Sequence, residues 1–215
     1  MAIDRRETAG NSVPALGDIP PKAIFILGNG GFARELGSYF STTFSCAIFY
    51  VDEVDTENDV ITCETYLGVM KHNSSKFISI MGSGKPSIKS KMLDQIKGVI
   101  ATYVHPQSTV LGKIGEGCVV APGAVIAPNA IIGKHVLINY CASVGHDAIV
   151  EDLAVISPNS SIGGKCVIGR GAYIGSGANI RENLKIGAGA MIGMGAVVTK
   201  DVPDGVMAVG VPARW

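Results

Sequence analysis

Within an apolar, repetitive stretch, the segment VGHDA sets His146 beside Asp147. Valine, isoleucine, glycine and alanine dominate on both sides, so two adjacent ionisable side chains need a reason. Imidazole titrates near working pH and can take a proton from an attacking amine or hydroxyl. A neighbouring carboxylate can orient the ring and stabilise its protonated form. His146 is therefore the candidate general base and Asp147 its candidate orienting acid. A backbone amide at a glycine corner, such as Gly164, would suit a developing oxyanion. Of the other histidines, His135 is expected at a solvated corner, His105 precedes Pro106 at a domain junction, and His72 falls in a polar loop.

The repeat around this pair determines what positions it. From Ile114 to Val198 an isoleucine or valine recurs every six residues without a break, at fifteen of fifteen positions. The residue four further on is usually small, as in Cys118, Ala124, Ala142, Ala148 and Cys166, and the residue directly after is often glycine. A period of six fits neither an α-helix nor ordinary strand alternation. It marks a hexapeptide parallel β-helix, with β-branched residues stacked inward and small residues at the corners. Three faces per coil make about 18 residues per turn, hence about five coils from this run. His146 follows an inward valine by two positions and so sits at a corner, projecting outward. Flat apolar faces on such a prism predict a homotrimer.

The N-terminal half has another rhythm. An apolar run, Ala23–Leu27, leads into Gly28, Gly30 and Gly31 and then a helix from about Phe32 to Phe40. The run CAIFYVDE ends near Asp52, and KFISIMGSGKPSIKSKMLDQI again passes from strand through glycines into helix. This pattern predicts a small Rossmann-like parallel sheet. Glycines at a strand-to-helix turn let backbone amides approach a phosphate, and an acid at the end of the next strand points to a nucleotide or sugar-nucleotide site. The expected organisation is a loose tail over 1–20, an α/β domain over 21–101, a left-handed β-helix over 102–200 and a C-terminal cap over 201–215.

Lysine plus arginine and aspartate plus glutamate number 18 each, with no basic run, which argues against a nucleic-acid surface. No apolar run of membrane-spanning length and no cleavable signal occur, so a cytoplasmic protein without a membrane partner is expected. Five cysteines without CxxC spacing give neither a disulfide framework nor a zinc knuckle. Cys118 and Cys166 fall in the small-residue register and Cys141 reads as packing, so none serves as an acyl carrier.

The order of GNGGF, GSGKPSIK, HPQSTV, NYCASVGHD and VGVPAR resembles the sialic acid O-acetyltransferase and bacillosamine-pathway sugar N-acetyltransferase family, over roughly residues 22–214. The resemblance implies a nucleotide-linked sugar on the N-terminal domain and acetyl-CoA, without a metal, in the groove between neighbouring prisms. Carried over by motif, Gly30, Gly31 and Phe32 would sit by the nucleotide, Asp52 by its ribose or base, and Gly82, Lys85 and Lys89 by the phosphates. Asn139 and His146 would face the reactive group of the sugar, and Gly164, Ser176 and Met194 would contact acetyl-CoA. Two positions depart from the family pattern. Phe32 stands where a histidine often closes the first glycine loop, and Val155 stands where many members carry a second histidine near the acetyl group.

The resemblance implies acetylation of the amine of a UDP- or dTDP-linked 4-amino-4,6-dideoxy sugar, for surface-polysaccharide or glycan synthesis. Sialic-acid-type O-acetylation is the alternative. A serine acetyltransferase would carry a helical N-terminal domain. A γ-class carbonic anhydrase needs three convergent histidines for zinc, whereas the repeat offers only His135 and His146. An ice-binding prism would want a threonine array, and Thr109 stands alone from Val104 to Val198.

Overall fold

The strand Ala23–Leu27 (β1) is AIFIL, buried at every position. A continuous apolar run suits a strand covered on both faces. In the computed structural model, which describes residues 23–43, 45–52, 59–73, 77–96 and 100–215, β1 lies at the centre of a parallel sheet. Chain order then gives helix α1 (Gly31–Thr43), β2 (Ala47–Asp52), β3 (Val60–Thr62), helix α2 (Cys63–Asn73), β4 (Phe77–Met81) and helix α3 (Pro86–Gln95). The sheet order is β3-β2-β1-β4. Alternate residues of β1 serve opposite faces. Ile24 and Ile26 pack with Leu36 and Phe40 of α1, while Phe25 and Leu27 pack with Tyr66 of α2 and Met92 of α3. The tail expected over residues 1–20 lies outside the described residues.

Helix α1 runs three residues beyond its expected end. Strand β3 and helix α2 were not foreseen, because a three-residue strand is too short to show a period. His72, expected in a polar loop, belongs to α2.

From Tyr103 onward two-residue strands recur and form three parallel sheets. Through the body of the prism each strand pairs with the one eighteen residues away, as Leu137 with Val155 and Ile138 with Ile156, while the end pairs Tyr103 with Val119, Thr109 with Val125 and Met191 with Met207 are sixteen apart. This is the left-handed β-helix expected from the repeat. The inward β-branched series is buried from Val120 to Val198, with Ile114 partly covered at the open end. From Ile114 to Ile192, corners turn at the third residue after each β-branched one, which takes a positive φ: 55° at Cys141, 58° at Asp147, 57° at Asn159. Small residues do not outline the corners as expected. Ala142, Ala148 and Ala154 are fully buried and stack inside them, where a larger side chain would collide with the next coil.

The first face, carrying Leu137 and Val155, is roofed by the N-terminal domain. Its outward Val119, Leu137, Val155 and Tyr173 join the cluster that holds Ile24, Leu36 and Phe40. Lys89 of α3 fastens this junction. It is 1% exposed, and its Nζ donates to the carbonyls of His135, 2.7 Å away, and Ala154, 3.2 Å away. The strand Met207–Gly210 extends the first face and pairs back on Ala213–Arg214. Among the described residues no helix is long and apolar enough to cross a membrane.

Candidate active site

The edge joining the second and third faces carries His146 and Asp147. His146 Nδ1 lies 2.7 Å from Asp147 Oδ2, and Asn129 Nδ2, one coil below, donates to Asp147 Oδ1 at 3.1 Å. The hydrogen bond from His146, followed by that from Asn129, holds the Asp147 carboxyl below its ordinary range. An ionised carboxylate on Nδ1 fixes the tautomer that keeps the proton there and leaves Nε2 free to accept one. The positive φ of Asp147 turns the chain so that both side chains face outward.

Gly164, one coil above, fits beneath the ring: a Cβ added there would lie 2.6 Å from His146 Nε2. Its amide is also unlike its counterparts on another edge. The Lys134 and Ala188 amides are each capped by an aspartate of the next coil, at 2.7 and 2.9 Å. Among the described residues nothing caps the Gly164 amide. Gly164→Ala should therefore swing the exposed imidazole aside and lower kcat by about 10²-fold, the scale of a misplacement of about 1 Å. The ring is free to move outward, so the melting temperature should stay within about 1 °C of wild type; an unchanged kcat would show that the ring position is immaterial.

A cavity of about 970 Å³ opens beside the N-terminal sheet. Gly30 lines it from the loop after β1, Gly31 and Phe32 from the start of α1, Asp52 from the end of β2, and Gly82 and Lys85 from the loop before α3. These are the carboxyl ends of parallel strands, at the point between β1 and β4 where the strand order reverses, which is where open α/β sheets receive ligands. The β-helix supplies the opposite wall through Leu153, Arg170, Tyr173 and Met191.

Lys89 does not reach this cleft, contrary to expectation. Its ammonium is spent on two carbonyls inside the domain junction. Val155, expected beside acetyl-CoA, is 2% exposed beneath the N-terminal domain because its register points it out of the first face. His135 is not a solvated corner either. It is half-buried, its Nδ1 is enclosed without a partner among the described residues, and burial lowers its pKa.

Asn139 stands on the edge after the first face, where its Oδ1 accepts the Tyr140 amide at 2.7 Å. Ser176 and Met194 share that edge in adjacent coils, and Met194 is 79% exposed. Within one chain, then, three places stay apart: the cleft on the first face, the Asn139–Met194 edge beside it, and His146 on the edge opposite the first face. Asn29 and Arg170 line the cleft without having been singled out from sequence. Asn29 lay in plain view inside GNGG, whereas Arg170 gave no signal, since only the folded register brings it there. Among the described residues no group of three metal-ligating side chains converges.

Residues 111–146 and 165–200 match the family described as bacterial transferase hexapeptide (six repeats). No curated protein sequence matches the chain. Solved structures do. WeeI from Acinetobacter baumannii AYE is 29% identical, with a TM-score of 0.78 over 89% of this chain and 98% of its own. The acetyltransferase domain of PglB from Neisseria gonorrhoeae FA1090, in complex with acetyl coenzyme A, is 26% identical at 0.78, over 90% and 98%. PerB from Caulobacter crescentus, in complex with CoA and GDP-perosamine, is 27% identical at 0.78, over 89% and 96%. Both domains take part in these likenesses, not the repeat alone. With its hexapeptide repeat, its left-handed β-helix and this likeness over nine-tenths of its length, the chain is an acetyltransferase similar to these proteins.

Proposed function

We propose that the protein transfers the acetyl group of acetyl-CoA to the amine of a nucleotide-linked 4-amino-4,6-dideoxy sugar, as a homotrimer. The observation that carries this reading is the pairing of a nucleotide-type cleft with a carboxylate-oriented histidine that the same chain holds on an opposite edge. A neighbouring copy completes the site, one chain's cleft facing another's His146. Exposed apolar residues flank the histidine edge, Val125 on one side and Ile131 and Ile149 on the other, at 40 to 49% exposure. A partner prism would cover them.

The amine nitrogen attacks the thioester carbonyl, a C–N bond forms, the C–S bond breaks and CoA leaves as the thiol. His146 Nε2 takes the proton the amine loses and returns one to the departing sulfur, while Asp147 steadies the imidazolium. The Gly164 amide donates to the developing oxyanion. Ser176 and Met194 offer a stacked, accessible edge along which acetyl-CoA would lie. Among the described residues no disulfide joins any of the five cysteines, consistent with a reducing cytoplasm, where acetyl-CoA is at hand.

Thiol release from acetyl-CoA tests the reading, with UDP-, dTDP- and GDP-linked 4-amino sugars, CMP-sialic acid, free sialic acid and serine as acceptors. UDP or dTDP is the nucleotide expected from the sequence; GDP joins because PerB binds GDP-perosamine. Turnover on one amino-sugar nucleotide, with an amide in the product, is the expected result. Turnover on sialic acid alone would replace N- by O-acetylation, and silence on all six would refute the proposal.

A further inference from the structure

The third edge of the prism bears a ladder of alternating charge at eighteen-residue spacing: Glu116, Lys134, Asp152 and Arg170. Lys134 Nζ lies 2.8 Å from Glu116 Oε1, and Arg170 Nη1 lies 3.0 Å from Asp152 Oδ2. The next rung is Ala188, whose amide Asp204 caps from the coil beyond, so among the described residues the run of paired charges ends on a cation. A guanidinium has five N–H donors, of which that Asp152 contact uses one. Arg170 also lines the cleft. The corner it belongs to also touches the start of α3, since a Cβ on Gly171 would be 3.9 Å from Pro86 Cβ. Lys85 precedes Pro86 on that wall, and the first turn of α3 has no side-chain cap.

The other end of the cleft has opposite character. Among the described residues Asn29 Oδ1 is buried with no hydrogen-bond partner, and Asp52 ends the neighbouring strand. Two acceptors there suit the N–H and O–H donors of a nucleoside, just as Arg170 and Lys85 suit an anion.

Resting on the nucleotide-linked substrate read above, we propose that Arg170 holds the substrate's diphosphate from the β-helix side, with the nucleoside directed to Asn29 and Asp52. The cation that Lys89 fails to supply thus comes from the other domain. An arginine fork also binds two phosphate oxygens at fixed geometry, which sets how far the sugar extends beyond the cleft.

Calorimetric binding of UDP, dTDP, GDP and CDP, and of the matching nucleosides, tests this on wild type, Arg170→Ala, Arg170→Lys and Asp152→Asn. Arg170→Ala should weaken the preferred nucleoside diphosphate at least 30-fold and leave its nucleoside within twofold. Arg170→Lys should recover only part of the loss, and Asp152→Asn should stay within threefold of wild type. The KM for acetyl-CoA should not move. Equal weakening of diphosphate and nucleoside, or an Asp152→Asn that copies Arg170→Ala, would reduce Arg170 to a structural rung and overturn the proposal. A wild type that binds none of the four diphosphates would instead sink the nucleotide-linked substrate itself, and this assignment with it.

Discussion

Replacing His146 with alanine is expected to lower kcat by about 10²- to 10⁴-fold, the span attributed to a positioned general base. The side chain is 62% exposed, so its removal takes no contact from the buried ladder and the melting temperature should stay near that of wild type. Asp147→Asn tests the second half of the pair. It leaves an amide at hydrogen-bonding distance but removes the charge that Asp147 holds with the help of Asn129. Its loss should be smaller than that of His146→Ala and should not add to it, because the carboxylate acts only through the imidazole. Thiol release under saturating acetyl-CoA, measured on both variants and the double variant, decides the matter. A fully active His146→Ala would remove the base from the mechanism, and additive losses would separate Asp147 from His146.

The β-helix was legible because its period is strict. One β-branched residue every six is enough to place Val144 inward and His146 two positions on, at a corner. The same register carried Gly164 to the coil above His146, since 18 residues make one turn. The cleft loops were legible through glycine, which marks where a strand passes into a helix near a phosphate. What the sequence hid is whatever depends on one element meeting another. Lys85 and Lys89 are four apart on one short stretch and look equivalent as phosphate cations. Only the docking of α3 on the first face buries Lys89 while leaving Lys85 exposed. Val155 likewise reads as one more hexapeptide position until the N-terminal domain covers its face. Arg170 is ordinary in sequence and becomes part of the cleft because Asp152 and Glu151 hold it at the third edge.

Lys89 also ties stability to pH. Burial lowers its pKa to about 7, while in the unfolded chain it stays protonated to about pH 10.4. Between these values the unfolded state binds the extra proton, so the folded state gains stability as pH rises, by up to about 1.4 kcal/mol per pH unit. The groups facing it on the β-helix do not mask this. Burial raises the pKa of Cys118 to about 11, so in the fold it stays a thiol through neutrality. Burial lowers that of His135, so the unfolded histidine takes a proton the folded one refuses, and that stability is lost only as pH falls below its ordinary 6.5. The clean window is therefore pH 7 to 8.5, before the unfolded cysteines ionise. Denaturant unfolding at fixed protein concentration should show stability rising across that window in wild type and flat in Lys89→Met. Lys89→Ala, which leaves a cavity and strips a donor from the His135 and Ala154 carbonyls, should cost about 3 kcal/mol at pH 8.5. The same rise in Lys89→Met would assign the pH dependence elsewhere and leave Lys89 as a bolt between the domains without a titrating role.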